Sequence, residues 1–151
     1  MRRTRIPLLI VLLAWSQMAD AALRCTISAT NMDFGLYSPL DAGAHTITST
    51  VTAVCRGGRG PLRFQLSPGF SGDASARFLV NAGSILNYNI YLDTARTQIW
   101  GDGTGGTSEA LRIQSRNGRM VHDVTAYGSI PPSQNAAPGI YTDNIIITVI
   151  F

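Results

Sequence analysis

Apolar and polar side chains alternate with a period of two over most of the chain after residue 24. Such alternation is typical of half-buried β-strands, and clusters of Gly, Pro, Asn and Asp interrupt it where turns are expected. The pattern predicts strands at residues 25–29 with a continuation at 32–37, then at 46–55, 62–66, 86–92, 121–130 and 141–151. The predicted inward faces are Ile47, Ser49, Val51, Ala53 and Cys55, and then Leu62, Phe64 and Leu66. For the following strand, the set Leu86, Tyr88, Ile90 and Leu92 competes with Ile85, Asn87, Asn89 and Tyr91 and is the more apolar.

Six or seven short strands separated by turns predict an all-β fold, a sandwich of immunoglobulin type. A complete sandwich of that type has seven strands or more. We find no spare alternating segment in the chain to supply a further strand. The sequence therefore predicts an incomplete sandwich with one uncovered edge.

The last predicted strand, with the sequence YTDNIIITVIF, is apolar and has no proline or charged tail to protect its edge. A free protein normally protects such an edge against pairing with other chains. We expect this strand to lie beside the uncovered edge, with Thr148 pointing outward. The candidate residues for docking a partner's strand and for the core face are Tyr141, Ile145, Ile147, Val149 and Phe151.

The first 21 residues have the form of a cleaved secretory signal. Arg2, Arg3 and Arg5 precede an apolar stretch at 6–15, and Ala19 and Ala21 are small residues at the positions that a signal peptidase reads. The apolar stretch is too short to span a bilayer, and we expect no membrane span after cleavage. We predict cleavage after Ala21, with Ala22 as the next candidate, and a single mature domain at 22–151, long enough to bury a core.

The charge of the chain changes when the leader is removed. The full sequence has 12 basic and 9 acidic residues. The leader contains three Arg and Asp20, which leaves 9 basic and 8 acidic residues, a net charge of +1. A nucleic-acid-binding protein needs a basic patch, and this balance predicts none, so we expect no nucleic-acid partner.

Cys25 and Cys55 both lie in the exported part of the chain. An even pair of cysteines in an oxidising compartment predicts a disulfide. A metal or redox pair is the alternative, but neither cysteine is in a CxxC motif or has a nearby histidine.

Candidate catalytic and ligand-binding residues are few. His45 and His122 are far apart in sequence, and no GxSxG motif is present. The glycine-rich stretch 101–106 lacks the Lys and Ser/Thr of a phosphate loop, and Asp93, Asp102 and Glu109 match no calcium loop, so we expect a turn-rich hairpin there. We predict no catalytic, cofactor or metal site, and Trp100 is the aromatic residue to examine for exposure as a sugar platform.

An ordered set of short motifs along the mature chain resembles the spore coat protein U domain family, which includes subunits of archaic chaperone–usher pili. Each motif alone is weak, and their order, with two cysteines and a leader, makes the set specific. The motifs are Cys25, Phe34-Gly35-x-Tyr37, the strand into Cys55, Leu86-x-Tyr88-x-x-Tyr91-x-Asp93, Trp100-Gly101-Asp102-Gly103, Tyr127-Gly128-x-Ile130-Pro131 with Gln134, and Gly139-x-Tyr141-x-Asp143.

The resemblance implies an immunoglobulin-like fold that lacks its final strand. A periplasmic chaperone lends a strand to such a subunit, and at the outer-membrane usher the N-terminal extension of a neighbouring pilin subunit replaces it. We therefore expect export to the periplasm and then to the cell surface, in a pilus or coat.

One departure from the family concerns the N-terminal extension. Cleavage after Ala21 leaves only Ala22, Leu23 and Arg24 before Cys25. Three residues span about 10 Å, too short to fill a neighbour's groove. The chain is expected to accept a strand but hardly to donate one, which predicts a terminal or capping subunit. The alternatives are a self-standing coat or biofilm-matrix protein and a carbohydrate-binding adhesive module.

Overall fold

The computed structural model describes residues 22–151, so the predicted leader lies outside the described residues. That part of the chain is built from β-strands, with one short 3₁₀ turn at Gly69–Ser71. The all-β prediction is therefore confirmed. The strands are β1 (Arg24–Ala29), β2 (His45–Arg56), β3 (Gly60–Leu66), β4 (Phe78–Asn81), β5 (Ser84–Asn87), β6 (Asn89–Tyr91), β7 (Ala110–Gln114), β8 (Met120–Ile130) and β9 (Ile147–Ile150).

Two antiparallel sheets form the sandwich. The first sheet has four strands in the order β1-β2-β8-β6, and the second sheet has three in the order β7-β3-β9. A separate hairpin, β4-β5, lies beside them. Residues 57–59 carry the chain from the end of β2 in the first sheet to the start of β3 in the second. The two sheets therefore meet at that end through a tight connection.

The core forms where the inward faces of the two sheets meet. On β2, the side chains of Val51, Ala53 and Cys55 are buried, while Thr52 and Val54 between them are more exposed, as the alternation predicts. On β3, Leu62, Phe64 and Leu66 are buried. These inward faces are confirmed. Trp100 fills the centre and is fully buried.

Residues 32–37 do not form the predicted strand. Met32 and Phe34 instead pack as an irregular segment over Gly128 of β8. A Cβ atom at Gly128 would come within 2.5 Å of the Met32 sulfur and 2.8 Å of the Phe34 ring. Phe34 also meets Tyr88 edge-on, with ring centroids 5.9 Å apart. Gly35, with a φ of 68°, turns the chain away from an extended path.

Two strands that the sequence did not predict are β4 and β7. On β7, Leu111 and Ile113 point outward and are 58% and 61% exposed, whereas Ala110 and Gln114 point inward and are buried. The apolar alternation therefore lies on the opposite face from the core. Alternation of this kind indicates a strand, but it assigns the wrong face to the core when the inward residues are small or polar.

The last predicted strand is shorter than expected. Its ladder with β3 covers Ile147–Ile150, and before it Thr142 forms an isolated bridge with Val80. The expected core position of Phe151 is wrong: this side chain is 58% exposed, because pairing ends at Ile150 and the residue lies beyond the ladder.

Cys25 and Cys55 form the predicted disulfide. The two residues are directly opposite each other in the β1–β2 ladder, with Cα atoms 4.0 Å apart. Cys55 is fully buried near the C-terminal end of β2 in the first sheet. The bond therefore joins edge strand β1 to the interior strand β2.

Removing this bond should destabilise the fold. We expect the double variant Cys25→Ala/Cys55→Ala to lose about 3–4 kcal/mol of unfolding free energy, because the unfolded chain regains the entropy of a 30-residue loop. Urea unfolding followed by tryptophan fluorescence measures the loss. Reductant should destabilise the native protein by a similar amount and leave the double variant unchanged. An equal response of both proteins to reductant would contradict the prediction.

Candidate strand-accepting groove

The edge strand β1 carries an apolar face that the second sheet does not cover. Ile27 is opposite Ala53 in the β1–β2 ladder, and Ala29 is opposite Val51. Directly paired residues point to the same face of a sheet, so Ile27 and Ala29 face inward with their buried partners. Ala53 is fully buried, yet Ile27 is 38% exposed. The inward face of β1 thus lies open to solvent.

The same exposure appears on β9, the edge strand of the second sheet. Ile145, Ile147 and Val149 pack against the core but are only half-buried. Their neighbours on β3 in the same ladder, Phe64 and Leu66, are 0% and 5% exposed. Arg112 of β7 donates to Asp123 O of β8 at 2.8 Å, so β9, at the other edge of the second sheet, lies toward the β1 side of the first. We call the open side between β1 and β9 the edge groove, lined by Ile27, Ala29, Ile145, Ile147 and Val149.

The free edge of β9 presents unpaired main-chain groups to this groove. Ile146 faces β3, because Ser67 N donates to its carbonyl at 2.9 Å and its own N–H donates to Ser67 Oγ at 2.9 Å. Main-chain groups of alternate residues point to opposite edges of a strand, so those of Ile147 and Val149 point away from β3. Within residues 22–151, no strand pairs with that edge.

Asp143 holds the approach to β9 in place. Tyr88 donates its hydroxyl to Asp143 Oδ2 at 2.7 Å, and Phe70 N donates to Oδ1 at 2.8 Å. Burial, and to a smaller extent the hydrogen bond to Asp143, raises the pKa of Tyr88. Its hydroxyl therefore keeps its proton and remains a donor. Gly69 leaves room for the carboxylate, since a Cβ atom there would collide with it.

Arg77 ties the end of β3 to the first sheet. It is 1% exposed, and its guanidinium donates to Ser67 O at 2.7 Å and to Asn89 Oδ1 at 2.8 Å. Burial lowers the pKa of this group, and the surrounding oxygen acceptors compensate for the loss of water. Ser67 in turn binds Ile146, so the buried arginine positions the start of β9. No pattern in the sequence pointed to this role.

The predicted docking residues divide into three sets. Ile145, Ile147 and Val149 lie together in the edge groove. Tyr141 packs on the core, and its hydroxyl donates to Ala137 O at 2.9 Å, so it braces the loop before β9. Phe151 extends beyond the ladder.

The candidate residues for other chemistry do not form a site. Trp100 is fully buried and donates Nε1–H to Phe64 O at 2.8 Å, so it cannot serve as a surface platform for sugars. His45 contacts the carbonyl of Phe34, whereas His122 pairs with Gln114 Oε1 at 2.9 Å. The two histidines lie at opposite ends of the β2–β8 ladder.

The three carboxylates considered for calcium have local partners instead. Asp93 accepts hydrogen bonds from Thr97 and Gln98, and Asp102 accepts from Thr104. Glu109 accepts from Gln65 at 2.9 Å. In the part of the chain from residue 22 onward, no group of three or more His, Cys, Asp or Glu side chains is placed to hold a metal ion.

The described residues contain no helix with the length and apolar character needed to cross a membrane.

Loss of the Asp143 carboxylate should loosen the approach to β9. We expect Asp143→Ala to destabilise the protein by about 1–3 kcal/mol, because the Tyr88 hydroxyl and Phe70 N lose their acceptor. Tyr88→Phe should lower the free energy of unfolding by about 1 kcal/mol, since Asp143 then still accepts the hydrogen bond from Phe70 N. Urea unfolding of both variants measures which one loses more stability. A larger loss for Tyr88→Phe than for Asp143→Ala would contradict the role given to Asp143.

Comparison with known proteins places the chain in a family. The chain is 28% identical over 135 residues to Protein U of Myxococcus xanthus, which covers 80% of this chain and 71% of that protein. It is similar in fold to a chain of the CsuC–CsuE chaperone–tip adhesion subunit pre-assembly complex from the archaic chaperone–usher Csu pili of Acinetobacter baumannii, with a TM-score of 0.62 and 19% identity. That likeness covers 86% of this chain and 40% of the other. Because residues 12–148 match the Spore Coat Protein U domain, the chain belongs to that family.

Proposed function

We propose that this protein is an exported structural subunit of a chaperone–usher type pilus or surface coat, and that its edge groove accepts a β-strand from another polypeptide. The observation that carries this proposal is the free main-chain edge of β9 beside half-buried Ile147 and Val149 and the exposed inward side chain of Ile27. The protein acts by completing its fold with a partner's strand, and we propose no catalytic role.

The donated strand adds a fourth strand to the second sheet. Its main chain bonds to the outward N–H and C=O groups of Ile147 and Val149, and its alternate apolar side chains enter the edge groove. The new strand then faces β1 and covers Ile27. Because fully burying a side chain such as Ile contributes about 1.5–3 kcal/mol, covering the groove favours binding.

The partners follow from the same groove. A periplasmic chaperone supplies the strand first, and a neighbouring pilin subunit replaces it at the outer-membrane usher. The similarity in fold to a chain of a chaperone–tip subunit complex supports the chaperone as partner. Export by the predicted leader takes the chain to the periplasm and then to the cell surface.

The position of the subunit in the assembly depends on its mature N-terminus. With cleavage after Ala21, the three residues before Cys25 reach about 10 Å, while β9 alone spans four residues. We infer a terminal or capping position, since such a short segment does not fill a neighbour's groove.

The groove is tested by co-expressing the full chain with a chaperone encoded beside it and measuring co-purification. We expect Ile147→Asp to reduce capture by at least about tenfold, because a carboxylate would be buried under the donated strand. The matched control is Ile146→Asp on the outward face, where the native side chain is 62% exposed. This control should be captured normally.

A second variant separates strand capture from loss of the fold. Val149→Pro removes an N–H that points to the free edge and leaves the bonds to β3, a position that tolerates proline in edge strands. We expect a folded protein that the chaperone no longer captures. Normal capture of Val149→Pro, or a native chain that stays stable and unpartnered in the periplasm, would overturn the proposal.

The capping position is tested by intact-mass measurement of the secreted protein. The expected mature N-terminus is Ala22. A mature chain with ten or more further residues before Cys25 would have a segment long enough to donate, and the capping position would then be wrong.

A further inference from the structure

Five exposed arginines lie together at one end of the sandwich, which we call the basic end: Arg24, Arg56, Arg59, Arg116 and Arg119. They belong to the segments 22–25, 55–61 and 114–120, which contain no acidic residue. These are five of the nine arginines in residues 22–151. The expectation from the net charge, that no basic patch is present, is therefore wrong.

The topology brings these arginines together. Arg24 and Arg56 are directly opposite each other in the β1–β2 ladder. Arg59 is in the connection from β2 to β3, and Arg116 and Arg119 are in the β7–β8 hairpin, which reaches Cys55 through Met120. None of the five forms an ion pair with another described residue. The ion pair within residues 22–151 is Arg63–Glu109, at 3.8 Å. Like charges directly opposite each other destabilise a sheet, so this arrangement has a cost.

The opposite end of the sandwich carries four exposed aspartates, and we call it the acidic end. Asp33 and Asp41 lie in the segment before β2, and Asp73 and Asp102 lie near Leu66 at the end of β3. Local hydrogen bonds fix three of them, since Gly35 N donates to Asp33, Ser75 to Asp73 and Thr104 to Asp102. The bonds from Ser75 and Thr104 lower the pKa of Asp73 and Asp102, which keeps them charged. Arg77, at this end, is buried beneath the surface.

The two charged ends are too far apart to screen each other. Strand β2 has 12 residues and runs from the acidic end to the basic end. At about 3.3 Å per residue, it spans roughly 36 Å, several times the Debye length of about 8 Å at physiological salt. A net charge of +1 therefore conceals a molecule with strong charge of opposite sign at its two ends.

We propose that the basic end of one copy of this chain binds the acidic end of a second copy, head to tail. Four exposed carboxylates on the same molecule complement the five arginines, and arginine pairs with carboxylates in a two-pronged geometry. A contact between two different surfaces joins copies head to tail, and it builds an open array unless the rotation between copies closes a ring. The contact does not use the edge groove, so it is open to a chain with little strand to donate.

The experiment measures self-association of the exported full chain by sedimentation velocity. The native protein should associate at about 20 mM salt and weaken at least about tenfold at about 300 mM, as screening predicts. Arg56→Glu/Arg59→Glu should abolish association, because it reverses charge at the basic end. Arg56→Ala/Arg59→Ala should also abolish association, and its matched control is Gln98→Glu/Thr125→Glu, which lowers the net charge by the same two units at exposed positions between the two ends. This control should associate as the native protein does.

The decisive test reverses the charge at each end in two separate variants and then mixes them. Asp33→Arg/Asp41→Arg alone should not self-associate, whereas mixing it with Arg56→Glu/Arg59→Glu should restore association. A native protein that is monomeric at low salt, or a control that loses association equally, would overturn the proposal. So would a monomer whose basic end retains a polyanion such as heparin, since the ligand would then be an anionic polymer. Chaperone capture is measured in a separate experiment. A failure of the self-association test therefore does not contradict the proposal that the edge groove accepts a strand.

Discussion

The hydrogen bonding of β9 on one edge only is the constraint on which the rest of this structure depends. The strand bonds to β3 through a ladder of four residues, and its other edge has no partner within residues 22–151. Main-chain N–H and C=O groups must be satisfied when they are buried. Within residues 22–151 no strand covers the core at this side, and the apolar residues near that edge remain half-buried.

The fold keeps this open side in order by making its support rigid. Arg77 binds Ser67, and Ser67 binds Ile146, so the first residue before β9 is connected to the first sheet through buried polar groups. Asp143 joins Tyr88 to the loop at Phe70 in the same region. A groove that binds an extended chain benefits from such order, because fewer groups have to be immobilised on binding.

Periodicity predicted the interior of this protein better than its edges. The inward faces of β2 and β3 followed from alternation alone, since apolar side chains there point to the core. The same rule failed on β7, where Leu111 and Ile113 point outward, and at residues 32–37, where Gly128 lets Met32 and Phe34 pack without a ladder. Buried Arg77 gave no sequence signal, and the separation of charge between the two ends appears only when the loops are placed.

The Cys25–Cys55 disulfide has a mechanical consequence. A pulling force applied through the residues before Cys25 would otherwise peel β1 from β2 one pair at a time, beginning at Arg24 and Arg56. The covalent bond lies at the second pair of that ladder, so it stops the peeling after a single step. Tension then passes directly into β2, which is paired on both sides, with β1 and with β8.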